Sequence, residues 1–221
     1  MSEDILFPPL GHAAASARET AGSKAAALSA LSAAGFRVPA GFVVTEAALA
    51  AAEGRHLGTE LQAAAAATGP GPYAVRSSAA AEDLPGASFA GMYESYLDVD
   101  PDGLAAAVER CFASAGGGRV RAYEASIGPE TGGGPAMAVL VQQMVDPVAA
   151  GVAFTANPLT GERNETVISA VQGLAEGLVS GVETGEEWVV REGRSIRVRG
   201  AGRVLSAESA KIGRASCRER V

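Results

Sequence analysis

Residues 73–97 read YAVRSSAAAEDLPGASFAGMYESYL, and the way this stretch divides decides the fold. Tyr73, Ala74 and Val75 form a short apolar run that favours extended backbone and ends on a single cation, Arg76. Two hydroxyls follow, Ser77 and Ser78, and then small, acidic and turn-forming residues as far as Gly91. From Tyr93 to Val99 polar and apolar side chains alternate, the period of a half-buried strand. The pattern predicts a strand over 73–76, a long loop over 77–91 and a strand over 93–99.

Toward the N-terminus, alanine clusters with Leu, Glu and Lys favour helix, because Ala loses no side-chain entropy on ordering. A helix is expected over 23–34, ended by Gly35, then an extended piece over 36–39 and a strand over 41–44. Thr45 is placed to cap a short helix reaching about residue 53, and 57–67 forms another, stopped by Gly69-Pro70-Gly71-Pro72. Toward the C-terminus, Asp100-Pro101 opens a helix to residue 114, and 119–127 a second one between glycines. The run TGGGP over 131–135 marks a lobe boundary. Strands are expected beyond it over 136–145, 151–155, 166–171, 187–191 and 196–199, the last two joined through 192–195 as a hairpin. Helices and strands mix first and antiparallel strands dominate later, so the reading is α+β in two lobes, 1–135 and 136–210.

The 221 residues are 48% hydrophobic, enough to build a core. With 18 Lys+Arg against 25 Asp+Glu the formal charge is −7, which leaves no broad electrostatic grip on nucleic acid or anionic lipid. No stretch approaches the roughly 18 uninterrupted apolar residues of a membrane span, and the start is acidic, so a cytoplasmic location is expected. The last eleven residues, KIGRASCRERV, break sharply from this composition. They resemble the conceptual translation of a sequencing-library adapter; the other reading is a basic tail for an acidic partner. Without their four basic residues and one acid the charge becomes −10, and Cys111 is the one cysteine left, so neither a disulfide nor a cysteine metal site is expected.

Three segments carry possible chemistry. Ala21-Gly22-Ser23-Lys24 puts a lysine in the first turn of a helix, where the helix dipole disfavours a cation unless a ligand phosphate shares the site; the alternative is a lysine pointing into water. Arg76 with Ser77, Ser78 and the loop to Gly91 offers a guanidinium fork and backbone amides to phosphate oxygens; the alternative is an arginine paired with Glu82 or Asp83. Val139–Val145, VLVQQMV, carries Gln142 and Gln143 in an apolar strand. An amide there can read a purine edge, or the strand can simply alternate its faces at a sheet edge.

In this order, GSKAAALSALSAAGFRVPAGFVVT (22–45), residues 73–97, VLVQQMV and GVAFTANPLTGERNETVISAVQGLAEGLVSG (151–181) resemble the N-terminal nucleotide-binding domain of the phosphoenolpyruvate synthase and pyruvate, phosphate dikinase family. The resemblance implies a two-lobed ATP-grasp fold with an incomplete second lobe. It implies an ATP-dependent phosphotransferase that phosphorylates a histidine on a separate domain for transfer to pyruvate. Lys24 and Arg76 match phosphate-contacting residues and are the candidate catalytic pair. Gly91 and Ser95 fall on the element that closes over the triphosphate, Gln142 on the hinge strand near the adenine, and Glu176 on a segment lining the nucleotide cleft. Mg²⁺ is implied with ATP, its ligands expected in a segment beyond this sequence, so no residue here is taken as a metal ligand.

Two departures from the family pattern stand out: Ser23 in place of the usual Gly, and Ala175 in place of the second Gly of GLGE. The second is tolerable only if that position needs no positive φ. His12 and His56 match no phosphocarrier motif. The partners implied are ATP and the phosphohistidine and pyruvate- or phosphoenolpyruvate-binding domains of a longer enzyme, with no nucleic acid and no membrane. The chain by itself is expected to bind nucleotide without phosphoryl transfer. An antibiotic (rifampicin-type) phosphotransferase and a solitary, non-catalytic nucleotide-binding module are the alternatives.

Overall fold

The computed structural model describes residues 6–52, 57–80, 83–84, 87–88, 94–115, 137–200, 204–206 and 209–210. Two compact units divide the chain, Met1–Met144 and Val145–Val221. In the first, helices α1 (Ala13–Ser16), α2 (Arg18–Ala33), α3 (Glu46–Ala52), α4 (Leu57–Thr68) and α5 (Leu104–Ala115) accompany strands β1 (Gly41–Thr45), β2 (Tyr73–Ala79), β5 (Ser95–Val99) and β6 (Met137–Gln143), with a small ribbon of β3 (Asp83–Leu84) and β4 (Ala87–Ser88). The main sheet has the order β1-β6-β2-β5, and every neighbouring pair is antiparallel.

Alternation of side chains along each strand splits this sheet into two buried faces. Phe42, Val44, Tyr73, Val75, Val139 and Val141 point to one of them and pack against Leu61 and Ala65 of α4 and Leu104, Ala107, Val108 and Cys111 of α5. The spacing of those α5 residues is that of one helical stripe. On the other face Val43 and Ala138 meet Ala15, Ala21 and Ala25 of α1 and α2. Methyl-sized side chains allow α2 to lie close to the strands, which positions its first turn against β2.

Local chemistry sets the helix ends as the sequence predicts. Gly35 (φ +84) closes α2, with the Phe36 amide donating to the Leu31 carbonyl and the Gly35 amide to that of Ser32. Thr45 caps α3 by accepting the Ala48 amide. Other boundaries move. Strand β2 runs on through Ser77, Ser78 and Ala79, expected as loop, because these residues pair with Val139, Ala138 and Met137. Helix α2 begins at Arg18, five residues early, bent at Gly22 (φ 79, ψ 170). Strand β6 hydrogen-bonds β1 and β2 in the first unit, where the sequence pattern had grouped it with the strands that follow. The helix expected over 119–127 lies outside the described residues.

The second unit is one antiparallel sheet, order β10-β9-β8-β7, of β7 (Ala149–Phe154), β8 (Glu165–Gln172), β9 (Glu186–Arg191) and β10 (Arg194–Arg199), with a single helical turn α6 (Glu176–Val179). Its core holds Ile168, Trp188, Val190 and Ala210. Glu186 is buried there with its charge satisfied: Trp188 Nε1 donates to Oε1 at 2.9 Å and the Val204 amide to Oε2 at 2.7 Å, while Arg197 lies 3.5 Å away. The β9–β10 turn needs only Glu192 and Gly193, both at positive φ, which is tighter than the four residues expected. Among the described residues no helix is long and apolar enough to cross a membrane.

The bend at Gly22 is a close approach of two backbones: a Cβ there would lie 2.0 Å from the Ser78 carbonyl oxygen. Gly22→Ala must therefore displace helix from strand as well as adopt a left-handed φ. The expected cost is about 3 kcal/mol, measured as a lowered urea midpoint; an unchanged midpoint would refute the close approach.

Candidate functional site

Strand β2 and the start of α2 build the site together. Past the bend at Gly22 the helix resumes with Ser23, Lys24 and Ala25, whose amides belong to the set that has no partner within a helix. The strand end supplies partners. The Ala25 amide donates to Ser78 Oγ at 3.2 Å, Ser23 Oγ donates to the Ala79 carbonyl at 3.1 Å, and Arg18 Nε donates to the Ala80 carbonyl at 3.2 Å. Three consecutive residues, the last two of β2 and the one after it, thus hold the start of α2 around its bend, and Lys24, half-buried, stands within it.

Arg76 precedes Ser78 by two residues on the same strand, so both project to the face covered by α2, about 7 Å apart along β2. Its guanidinium is half-buried and has no ion-pair partner among the described residues. Ser95 on β5 is its cross-strand neighbour and lies exposed. Gln142 shares the same face of the sheet: Leu140 pairs with Arg76, and Gln142 sits two residues further along β6. Its amide is mostly buried and donates from Nε2 to the Pro39 carbonyl at 2.9 Å. The structure therefore brings Lys24, Arg76, Ser95 and Gln142 to one sheet face. Glu176 is exposed at the first position of α6, in the second unit, and Gly91 lies outside the described residues.

The two hydroxyls after Arg76 do something other than face a ligand. Ser77 points to the opposite face and Ser78 is fully buried with its oxygen on the Ala25 amide. Local sequence carries no signal for this use, since the partners are 53 residues apart. A cavity of about 470 Å³, lined by Phe7, Leu10, Val38, Phe42 and Ala67 among others, touches none of the four gathered residues. Its walls are mostly apolar, so chemistry rather than size marks the site. Among the described residues no three or more His, Cys, Asp or Glu side chains gather where they could hold a metal ion.

Beneath the sheet, Cys111 on α5 is buried, its thiol 3.8 Å from the Val75 carbonyl and 3.7 Å from that of Glu94. The Glu94 carboxylate accepts the Tyr96 hydroxyl, and Arg110 lies over the Tyr96 ring, 4.3 Å from its centroid. Burial first and the Glu94 charge second push the Cys111 thiol up to about 11, while Arg110, the Ser77 amide and Lys24 pull it down by less.

The pyruvate phosphate dikinase AMP/ATP-binding domain family matches residues 55–211, well over half of the chain. The chain belongs to that family. A phosphoenolpyruvate synthase of Pyrococcus furiosus is 50% identical over 121 residues, which are 54% of this chain and 15% of that enzyme. Rifampicin phosphotransferases of Streptomyces sviceus and Bacillus subtilis are 42% identical over 141 residues and 39% over 142, covering 63% and 64% of this chain and 16% of each relative. The matches thus take in a small part of these relatives' lengths. Within the family match lie Arg76, Ser95, Gln142 and Glu176; Lys24 precedes it.

Of the two departures in the dikinase pattern, Ser23 occupies an ordinary helical position, the positive φ falling on Gly22. Ala175 has φ −92, and it is Gly173 that takes φ 67, so the condition for tolerating alanine holds.

The raised Cys111 value has a sign that can be checked. The folded state holds this proton more tightly than the unfolded chain, so the contribution is complete below the ordinary value of 9.0 and is lost as pH rises through about 11. Urea midpoints are expected to fall between pH 8 and pH 10.5 more steeply for the parent chain than for Cys111→Ala. Equal slopes would count against a thiol held protonated by burial.

Proposed function

We propose that the chain is the nucleotide-binding part of an ATP-dependent phosphotransferase of the phosphoenolpyruvate synthase kind, its units being the lobes of an ATP-grasp fold with the second incomplete. The observation that carries this reading is Arg76: a half-buried arginine without an ion-pair partner among the described residues, on the sheet face where α2 resumes past Gly22 with Lys24 in its turn. Half-burying the Arg76 side chain costs solvation free energy, and a bound polyanion offsets it. In an acidic chain, that anion must be recognised locally.

Bound ATP supplies the phosphoryl group. Lys24 is a compact charge for the phosphates and Arg76 a planar fork that can take two oxygens at once. On this reading Ser95, beside Arg76, belongs to the element that closes over the triphosphate, to which Gly91, outside the described residues, is assigned by the family resemblance. Gln142, with its Nε2 given to Pro39, serves the adenine side on this reading, and Glu176 keeps the nucleotide-binding role that the family resemblance assigns to its segment. Positioning and charge neutralisation are what phosphoryl transfer asks of a protein. The Mg²⁺ that accompanies ATP is assigned to no residue here. The acceptor on this reading is a histidine of a separate domain, and pyruvate receives the group from it. Higher identity favours the synthase reading over the rifampicin one, 50% against 42%.

Calorimetric titration with ATP and magnesium tests the site. The parent chain is expected to bind, and Arg76→Ala and Lys24→Ala each to weaken binding roughly ten- to a hundredfold, the range for a charged hydrogen-bond partner. Undiminished affinity in Arg76→Ala would remove the basis of the proposal.

A further inference from the structure

Ser78 sits between the two cations of the proposed site and belongs to neither. Its Oγ, fully buried, accepts the Ala25 amide at 3.2 Å, one residue from Lys24, while its backbone continues the strand that carries Arg76 two residues earlier. The Ser78 carbonyl is the atom that forbids a side chain at Gly22, so helix start and strand end are in contact on both sides of Lys24. The neighbouring bonds, Ser23 Oγ to the Ala79 carbonyl and Arg18 Nε to the Ala80 carbonyl, end on backbone, which any residue type would supply. At Ser78 it is the strand's own side chain that makes the tie.

We propose that Ser78 is a positioning residue: its hydroxyl, by capping the first turn of α2, fixes Lys24 relative to Arg76 so that both charges meet one polyphosphate. The proposal rests on the ATP reading for its functional consequence and on the free protein for its structural one. Ser78 is fully buried, so it acts on the nucleotide through Lys24 and not by contact. The Ala25 amide would otherwise be a buried donor without a partner, and the turn would shift to reach one. A lysine carried on a shifted turn keeps its charge and loses its place.

The test is a double-mutant cycle on the full chain, read by ATP affinity, with Ser78→Ala, Lys24→Ala and the pair. Ser78→Ala is expected to weaken ATP binding about five- to tenfold when Lys24 is present and less than about twofold when it is absent. Ser78→Thr, which keeps the oxygen, is expected to restore most of the loss. Equal factors in both lysine backgrounds would show a merely structural residue and overturn the proposal, as would no loss at all. If Ser78→Ala does not fold, Ser23→Ala, which loosens the same turn, enters the same cycle with the same expectation. Amide hydrogen exchange in the nucleotide-free chain separates this outcome from failure of the ATP reading. The Ala25 amide is expected to be protected and to exchange at least about tenfold faster in Ser78→Ala or Ser23→Ala, with Leu140 unchanged. An unprotected Ala25 amide would overturn the proposal whether or not ATP binds.

Discussion

The contact between Gly22 and the end of β2 is the constraint on which the first unit depends. Helix α2 can lie on the sheet with its first turn against Ser78 only because residue 22 has no Cβ and accepts a φ of 79. Everything that follows is geometry inherited from that approach. The Ala25 amide comes within reach of a strand hydroxyl, the alanines of α1 and α2 meet Val43 and Ala138, and Lys24 is rooted a strand repeat away from Arg76. A bulkier residue at 22 would move helix and cation together, so packing and site share one point of failure.

The electrostatics are informative because the chain as a whole is acidic. A basic protein can leave arginines half-buried near its surface with little consequence, but at a formal charge of −7 a half-buried arginine on a sheet face without an ion-pair partner among the described residues is an exception. Contrast the second unit, where Arg197 lies beside buried Glu186 and Arg191 beside Glu165, each cation with its carboxylate. Arg76 has no such carboxylate among the described residues.

What the sequence makes legible follows from the range of the physics involved. Short-range signals read well: Gly35 ending α2, Thr45 capping α3, the stripe of α5 and the run of later strands, whereas β5 forms without the expected alternation, with Asp98 at φ 52 and a register shift against β2 between Tyr73 and Val75. Residues whose type is unusual for their place, Lys24 and Arg76, also stand out. Long-range pairing does not. Ser77 to Ala79 look like the opening of a loop, and they become strand because β6, some sixty residues later, offers Val139 to Met137 as partners. The same pairing puts β6 in the first sheet, although its composition matches the strands that follow it. Ser78 is the sharpest case: its serine suggests a ligand contact, and only the fold shows its oxygen on an amide of α2.

The two departures from the dikinase family pattern test whether glycines in such motifs are needed for their backbone or are incidental. At the first motif the left-handed conformation and the close approach both fall on Gly22, and Ser23 follows in ordinary helical geometry with its hydroxyl on the Ala79 carbonyl. A glycine at 23 would lose that bond and gain backbone freedom at a position that needs none. At the GLGE segment Gly173 takes φ 67 while Ala175 rests at φ −92, just before α6. Alanine there limits the unfolded chain more than glycine would and meets no steric objection in the fold. Both substitutions thus sit where the backbone permits them, beside glycines that it does not release, so a pattern broken at Ser23 and Ala175 keeps the geometry for which the motifs exist.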